Sequence, residues 1–143
     1  MDRIQAARLL VLAGASIFGV LGALHLIYTF FSDKFLPRDA AVMQGMKATS
    51  PVLTRQMTMW DAWVSFNATH SLGAILLSAF YLLLASLHMD LLVSSKVFLA
   101  LAVLAGLSYV CIGYAYWFRT PFIGATIATS CFALATILVF TKG

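Results

Sequence analysis

Four long apolar runs constrain what this 143-residue chain can fold into. A helix needs roughly 20 apolar residues to cross about 30 Å of hydrocarbon, and such runs lie at residues 9–31, 62–87, 97–118 and 121–140. Charged residues make up only 10% of the chain, well below the share in soluble domains. We therefore predict an all-α integral membrane protein, a single domain over residues 1–143, folded as an antiparallel bundle of four transmembrane helices.

The connection between the first and second spans is the longest, at about thirty residues (32–61). Residues 36–39 favour the start of a short helix that ends near Lys47. Ser50 is a good N-cap and Pro51 a good first helical residue, which predicts that the second spanning helix begins near Pro51. We expect this long loop to be partly helical and to lie in the membrane interface.

Charge gives only a weak indication of orientation. Basic residues divide almost equally between the terminal side (Arg3, Arg8, Lys96 and Lys142) and the long-loop side (Lys34, Arg38, Lys47, Arg55 and Arg119). Because Arg3 and Arg8 flank the first span closely, we expect cytoplasmic termini in a bacterial inner (plasma) membrane. The first run is too long for a signal-peptide core, so we expect it to be retained. The scattered net charge of +4 predicts no nucleic-acid partner.

Two histidines lie inside the first two spans, where ionisable residues are costly and therefore indicate function. His25 is about six residues before the long-loop end of the first span, and His70 is about nine residues after the start of the second. At 1.5 Å per residue, antiparallel helices would place the rings roughly 9 and 14 Å below the same membrane surface. We therefore predict that the two imidazoles meet.

Aromatic and polar side chains are concentrated in the half of the spans that is nearest the long loop. Spacings of three and four residues align neighbours on one helix face, and the predicted ligand-binding residues are His25, Tyr28, Trp60, Trp63, Asn67, His70, Tyr109 and Trp117. They are compatible with an aromatic belt and interhelical hydrogen bonds, or with a pocket for a lipid- or quinone-like molecule. A b-type haem ligated by His25 and His70 is a further alternative. Proton transfer between Asp61 and His70 is another, although about 13 Å of helix separates them.

Other patterns in the sequence give weaker indications of function. There is no phosphate loop, nucleophile elbow, HExxH or CxxC motif, so we expect no catalytic residue, and enzymatic activity stays uncertain. Methionines 43, 46, 57 and 59 suit packing against the bilayer, or Cu(I) binding. A small-residue stripe, Ala15, Gly19 and Ala23, favours bundle packing or a homodimer.

The segments GALHLIYTF and MTMWDAWVSFNATHSLGAILL resemble a family of uncharacterised bacterial four-helix integral membrane proteins. That family carries H-x-x-x-T-F on helix one and W-x-x-W-x-x-FN-x-T-H-S-x-G on helix two, which here places His25 and His70 in the motifs. The resemblance implies the four-helix fold and the same two histidines, and it implies no activity. We expect a non-catalytic protein that binds a small apolar or amphipathic ligand near His25, Asn67 and His70, or an accessory subunit of a larger membrane complex. A haem protein is the alternative.

Overall fold

The computed structural model describes residues 2–141, and its regular structure within that range is helical, without a β-strand. The helices are α1 (Arg3–Phe31), α2 (Ala40–Ala48), α3 (Met59–Leu87), α4 (Met89–Ser94), α5 (Lys96–Tyr116) and α6 (Arg119–Phe140). Four of them, α1, α3, α5 and α6, are long and apolar enough to cross a membrane. The predicted all-α class is therefore confirmed, and so is the presence of four helices with the length and composition of membrane spans. Lys142, counted above for orientation, lies outside the described residues.

The start of α3 differs from the prediction, because residues 51–58 are not helical. Thr58 and Asp61 form a reciprocal capping box instead. The Thr58 hydroxyl oxygen accepts a hydrogen bond from the Asp61 N–H at 3.1 Å, and Asp61 Oδ2 accepts from the Thr58 N–H at 2.9 Å. The backbone N–H groups of Thr58 and Asp61 are thereby both hydrogen-bonded. Pro51 instead lies in a turn, in which the Thr54 N–H donates to the Pro51 carbonyl oxygen. The predicted start near Pro51 is wrong.

The short connecting segments agree only partly with expectation. Helix α2 ends at Ala48, close to the predicted end, and Asp39 is its N-cap, accepting from the Ala41 N–H at 2.8 Å. Helix α4 was not predicted. Helix α6 begins at Arg119, so Pro121 is its third residue and not its first. The first-turn N–H groups of a helix have no intrahelical acceptor, which is why proline is tolerated there.

The chain divides into two compact units. Within the described residues, one unit takes in the chain up to Leu21 and from Ala74 onward, and the second unit is Gly22–Gly73. In the first unit, α5 packs against α6, and its largest buried side chains include Phe18, Tyr81 and Phe132. The prediction of a single domain stays a prediction.

Small residues allow close helix packing in the first unit. A Cβ atom on Gly14 would lie 2.8 Å from the Ala128 carbonyl oxygen, and one on Gly19 would lie 2.5 Å from Ser78 Oγ. Ala15 is fully buried. Ala15 and Gly19 of the stripe, together with Gly14 beside it, therefore make contacts within the chain, as expected where close backbone approach replaces the hydrophobic effect.

Candidate functional site

A hydrogen bond between His25 of α1 and Asn67 of α3 is the centre of the second unit. The His25 Nε2 and Asn67 Oδ1 atoms are 2.9 Å apart, and Asn67 is only 9% exposed. The other end of the Asn67 amide, Nδ2, donates to the Trp63 carbonyl oxygen at 2.8 Å. A carbonyl oxygen only accepts, so this bond fixes the orientation of the amide. Asn67 Oδ1 is therefore the acceptor, and His25 Nε2 is the donor.

The second histidine lies beside the first. The ring centroids of His25 and His70 are 5.2 Å apart, with the rings edge to face at 63°. Asn67 and His70 are three residues apart on α3 and so share a helix face. The prediction that the two imidazoles meet is confirmed, and we call His25, Asn67 and His70 the polar cluster.

Phe35 covers the polar cluster on one side. Its ring centroid is 4.4 Å from that of His25, and its carbonyl oxygen accepts a hydrogen bond from Trp63 Nε1 at 3.1 Å. Phe35 was not among the residues predicted from the sequence. One feature of the sequence indicates that Phe35 is packed against the protein: Phe35 and Leu36 are an apolar pair within the otherwise polar stretch of residues 32–39.

An open groove of about 330 Å³ is lined in part by Phe35. Its lining is mostly apolar and comprises Lys34, Phe35, Leu36, Pro37, Met46 and Trp63. The volume is near the lower end of the range for small-molecule sites. Phe35 thus lines this groove and also packs on His25, so one residue contacts both features.

The remaining predicted residues have other contacts. Tyr28 lies under the Lys34 ammonium, with 5.7 Å from Nζ to the ring centroid, and Trp60 is similarly placed under Lys47 at 5.6 Å. Tyr109 and Trp117 belong to the first unit, where their ring centroids are 6.1 Å apart. Of the predicted residues, Trp63 lines the groove, and His25, Asn67 and His70 form the cluster. Contact of any of the eight predicted residues with a ligand stays a prediction.

The geometry of the histidine pair does not fit a haem. A metal–imidazole bond is about 2 Å long, so a bis-histidine haem needs two ring nitrogens facing each other across the porphyrin plane. Here the rings meet edge to face, and His25 Nε2 donates to Asn67.

Asp61 caps the N-terminus of α3 and is not part of the polar cluster. Its carboxylate accepts from both the backbone N–H and the hydroxyl of Thr58, the latter at 2.7 Å. These bonds start α3 and give the proton-transfer alternative with His70 no support.

Together these features define a helical protein with four helices able to span a membrane and a polar cluster between two of them. Comparisons with protein-family models, with curated proteins and with solved structures give no match for this chain. The resemblance carried by the first two spans therefore stays a prediction, and a function has to be argued from the geometry.

Proposed function

We propose that this chain is a multi-pass protein of the bacterial inner membrane, an antiparallel four-helix bundle with cytoplasmic termini, which binds a small amphipathic molecule of lipid or quinone type without transforming it. The observation that carries the proposal is that Phe35 lines an apolar groove and its ring also packs on His25.

The groove suits the apolar part of such a molecule. Most of its lining side chains are apolar, and Trp63, at 42% exposure, offers a broad ring surface. Burying apolar surface is worth roughly 25 cal/mol per Å², while aromatic rings add a shape preference for flat groups. Lys34 is the charged residue of the lining, and because it is exposed its charge is well screened by water.

The polar cluster suits the polar head group of such a molecule. Hydrogen-bonding side chains within a membrane span are costly unless they are paired or used. Phe35 lies in the non-helical segment between α1 and α2, and one hydrogen bond from Trp63 holds its backbone. A side chain in such a segment is easier to displace than one on a helix. Phe35 can therefore yield to a polar head group that approaches His25.

The test uses Trp63 as a reporter. The chain has three tryptophans, so changing Trp60 and Trp117 to Phe leaves Trp63 alone. The probe is a single-chain alkylphenol with bromine on its tail, which quenches tryptophan fluorescence on contact. We expect quenching that saturates with probe concentration per mole of detergent. Quenching that rises linearly without saturation would show partition into the micelle only and would contradict the proposal.

A matched pair of phenylalanine variants provides the control. Phe35→Ala removes a wall of the groove, whereas Phe31→Ala, four residues earlier, removes a ring that is 83% exposed. Losing an aromatic contact costs about 0.5–1.5 kcal/mol, so we expect roughly two- to tenfold weaker binding in Phe35→Ala. Phe31→Ala should leave binding unchanged. Equal effects of the two substitutions would locate the probe outside the groove.

A further inference from the structure

We propose that residues 49–59 form a membrane-docking loop. Its tip, Val52 and Leu53, inserts into the head-group region of the bilayer, and Arg55 pairs there with the phosphate of a phospholipid. The groove is lined by other residues, and the small molecule proposed above plays no part in this docking.

The docking loop is closed at its base by a backbone hydrogen bond. The Met59 N–H donates to the Thr49 carbonyl oxygen at 2.8 Å. Within the loop, the Thr54 N–H donates to the Pro51 carbonyl oxygen at 3.2 Å, and the Gln56 N–H donates to the Thr54 hydroxyl oxygen at 3.1 Å. Loops whose ends are held together in this way are compact, so the tip has a defined shape before it meets a partner.

The tip of the docking loop is uncovered apolar surface. Val52 is 109% exposed and Leu53 is 94% exposed, which are the highest values among the large apolar residues of the described chain. Single exposed apolar residues are common on proteins, but here two adjacent ones project from a closed loop. Because apolar surface is favoured to leave water, the tip suits an apolar environment outside the chain.

The base of the docking loop lies at the edge of the membrane. Asp33 and Asp61 are the first charged residues on the long-loop side of the first two spans, because residues 9–32 and 62–89 contain no Asp, Glu, Lys or Arg. Charged residues are costly within hydrocarbon and so mark its edge. Met59 precedes Asp61 by two residues, which is about 3 Å along α3.

The bilayer is within reach of the tip. A chain spans at most about 3.6 Å per residue, so Val52 lies within about 11 Å of Thr49 at the base. The head-group region is about 5–8 Å thick on each side of the hydrocarbon. Since the spans hold the base of the loop at this surface, lipid is favoured over a second protein as the occupant of the tip.

The charge next to the tip is complementary to phospholipid. Arg55 is the one charged residue in the sequence from 49 to 60, and it is exposed. A guanidinium group binds phosphate oxygens through two parallel hydrogen bonds. Apolar side chains beside a cation are typical of segments that dock at the surface of a membrane.

The first experiment measures trypsin cleavage after Arg55 in the purified chain, embedded in nanodiscs of phosphatidylcholine and phosphatidylglycerol. Val52→Ser combined with Leu53→Ser should release the tip from lipid. We expect cleavage at least about tenfold faster, because burial of one Val or Leu side chain shifts an equilibrium by at least that factor. Synthetic peptides of residues 49–60, with and without the two serines, correct for the sequence preference of trypsin.

The matched control is Val42→Ser, which changes a valine of α2 that is 51% exposed. It should leave the cleavage rate after Arg55 unchanged. Equal rates in the parent protein and in the double serine variant, or an equal increase in Val42→Ser, would overturn the proposal.

A second experiment locates the tip without removing its apolar surface. A nitroxide label is attached to Leu53→Cys after both native cysteines have been changed to Ala, and its collisions with an aqueous nickel chelate are measured in the same nanodiscs. Gln44→Cys, at an exposed polar residue of α2, is the reference. We expect fewer collisions at position 53 than at position 44. Equal or more frequent collisions at position 53 would overturn membrane docking and leave a protein partner or water as the surroundings of the tip.

Discussion

The substitution Asn67→Leu removes the hydrogen-bond partner of His25 while it keeps the same number and branching of side-chain heavy atoms. Two bonds are lost, one of 2.9 Å to His25 Nε2 and one of 2.8 Å to the Trp63 carbonyl oxygen. The second bond lies within α3, so its loss has a local effect. The first joins α1 to α3, and its loss leaves the His25 N–H without an acceptor.

The expected magnitude follows from the position of this bond. Interhelical hydrogen bonds in membrane proteins contribute about 0.6 kcal/mol on average and at most about 1.7 kcal/mol. Asn67 is 9% exposed, so water replaces the lost bond poorly. We expect a coupling free energy of about 0.6–1.7 kcal/mol between Asn67→Leu and His25→Phe in a double-mutant cycle.

The assay is reversible unfolding in mixed micelles with increasing SDS, followed by far-ultraviolet circular dichroism. Ser71→Ala is the control, since the Ser71 hydroxyl donates to the backbone carbonyl oxygen of Asn67 at 2.8 Å within α3 and Ser71 is fully buried. Its coupling to His25→Phe should be near zero. A coupling for Asn67 that does not exceed the one for Ser71 would refute the claim that the bond between the helices stabilises the cluster.

Two further predictions concern the scaffold and use the same unfolding assay. Thr58→Ala removes the N-cap of α3 and its reciprocal bond with Asp61, so we expect a loss of about 1 kcal/mol; an unchanged midpoint would contradict the capping role. Gly14→Ala places a methyl group 2.8 Å from the Ala128 carbonyl oxygen and should cost about 1–3 kcal/mol. Gly45→Ala meets nothing within 4 Å and should be neutral or stabilising by up to about 1 kcal/mol. Similar losses for both alanines would show that close packing at Gly14 is not the cause.

The spanning helices could be predicted from the sequence because their signal is local. Each run exceeds the length that the hydrocarbon core requires, and no tertiary contact is needed to recognise it. The start of α3 was harder, because two start signals compete within ten residues. Ser50 and Pro51 are favourable one at a time, whereas Thr58 and Asp61 satisfy each other's backbone or side-chain groups, and the reciprocal arrangement prevails.

The candidate site could be predicted only as far as helix periodicity reaches. The pairing of His25 with Asn67 and His70 follows from depth along two spans, and the structure brings these three together. Phe35 could not be placed in this way, because it lies in a segment without regular periodicity. Its position depends on a long-range bond to Trp63 Nε1, which no spacing rule encodes.

The most direct test of a ligand in the groove is to identify what the protein carries from its own membrane. The chain and its Phe31→Ala and Phe35→Ala variants would be extracted in mild detergent, purified, and their bound small molecules identified by mass spectrometry. We expect an amphipathic molecule of lipid or quinone type, close to one per chain, in the unchanged protein and in Phe31→Ala, and a depleted amount in Phe35→Ala. A content no higher than that of empty micelles, or the same content in all three proteins, would contradict the account.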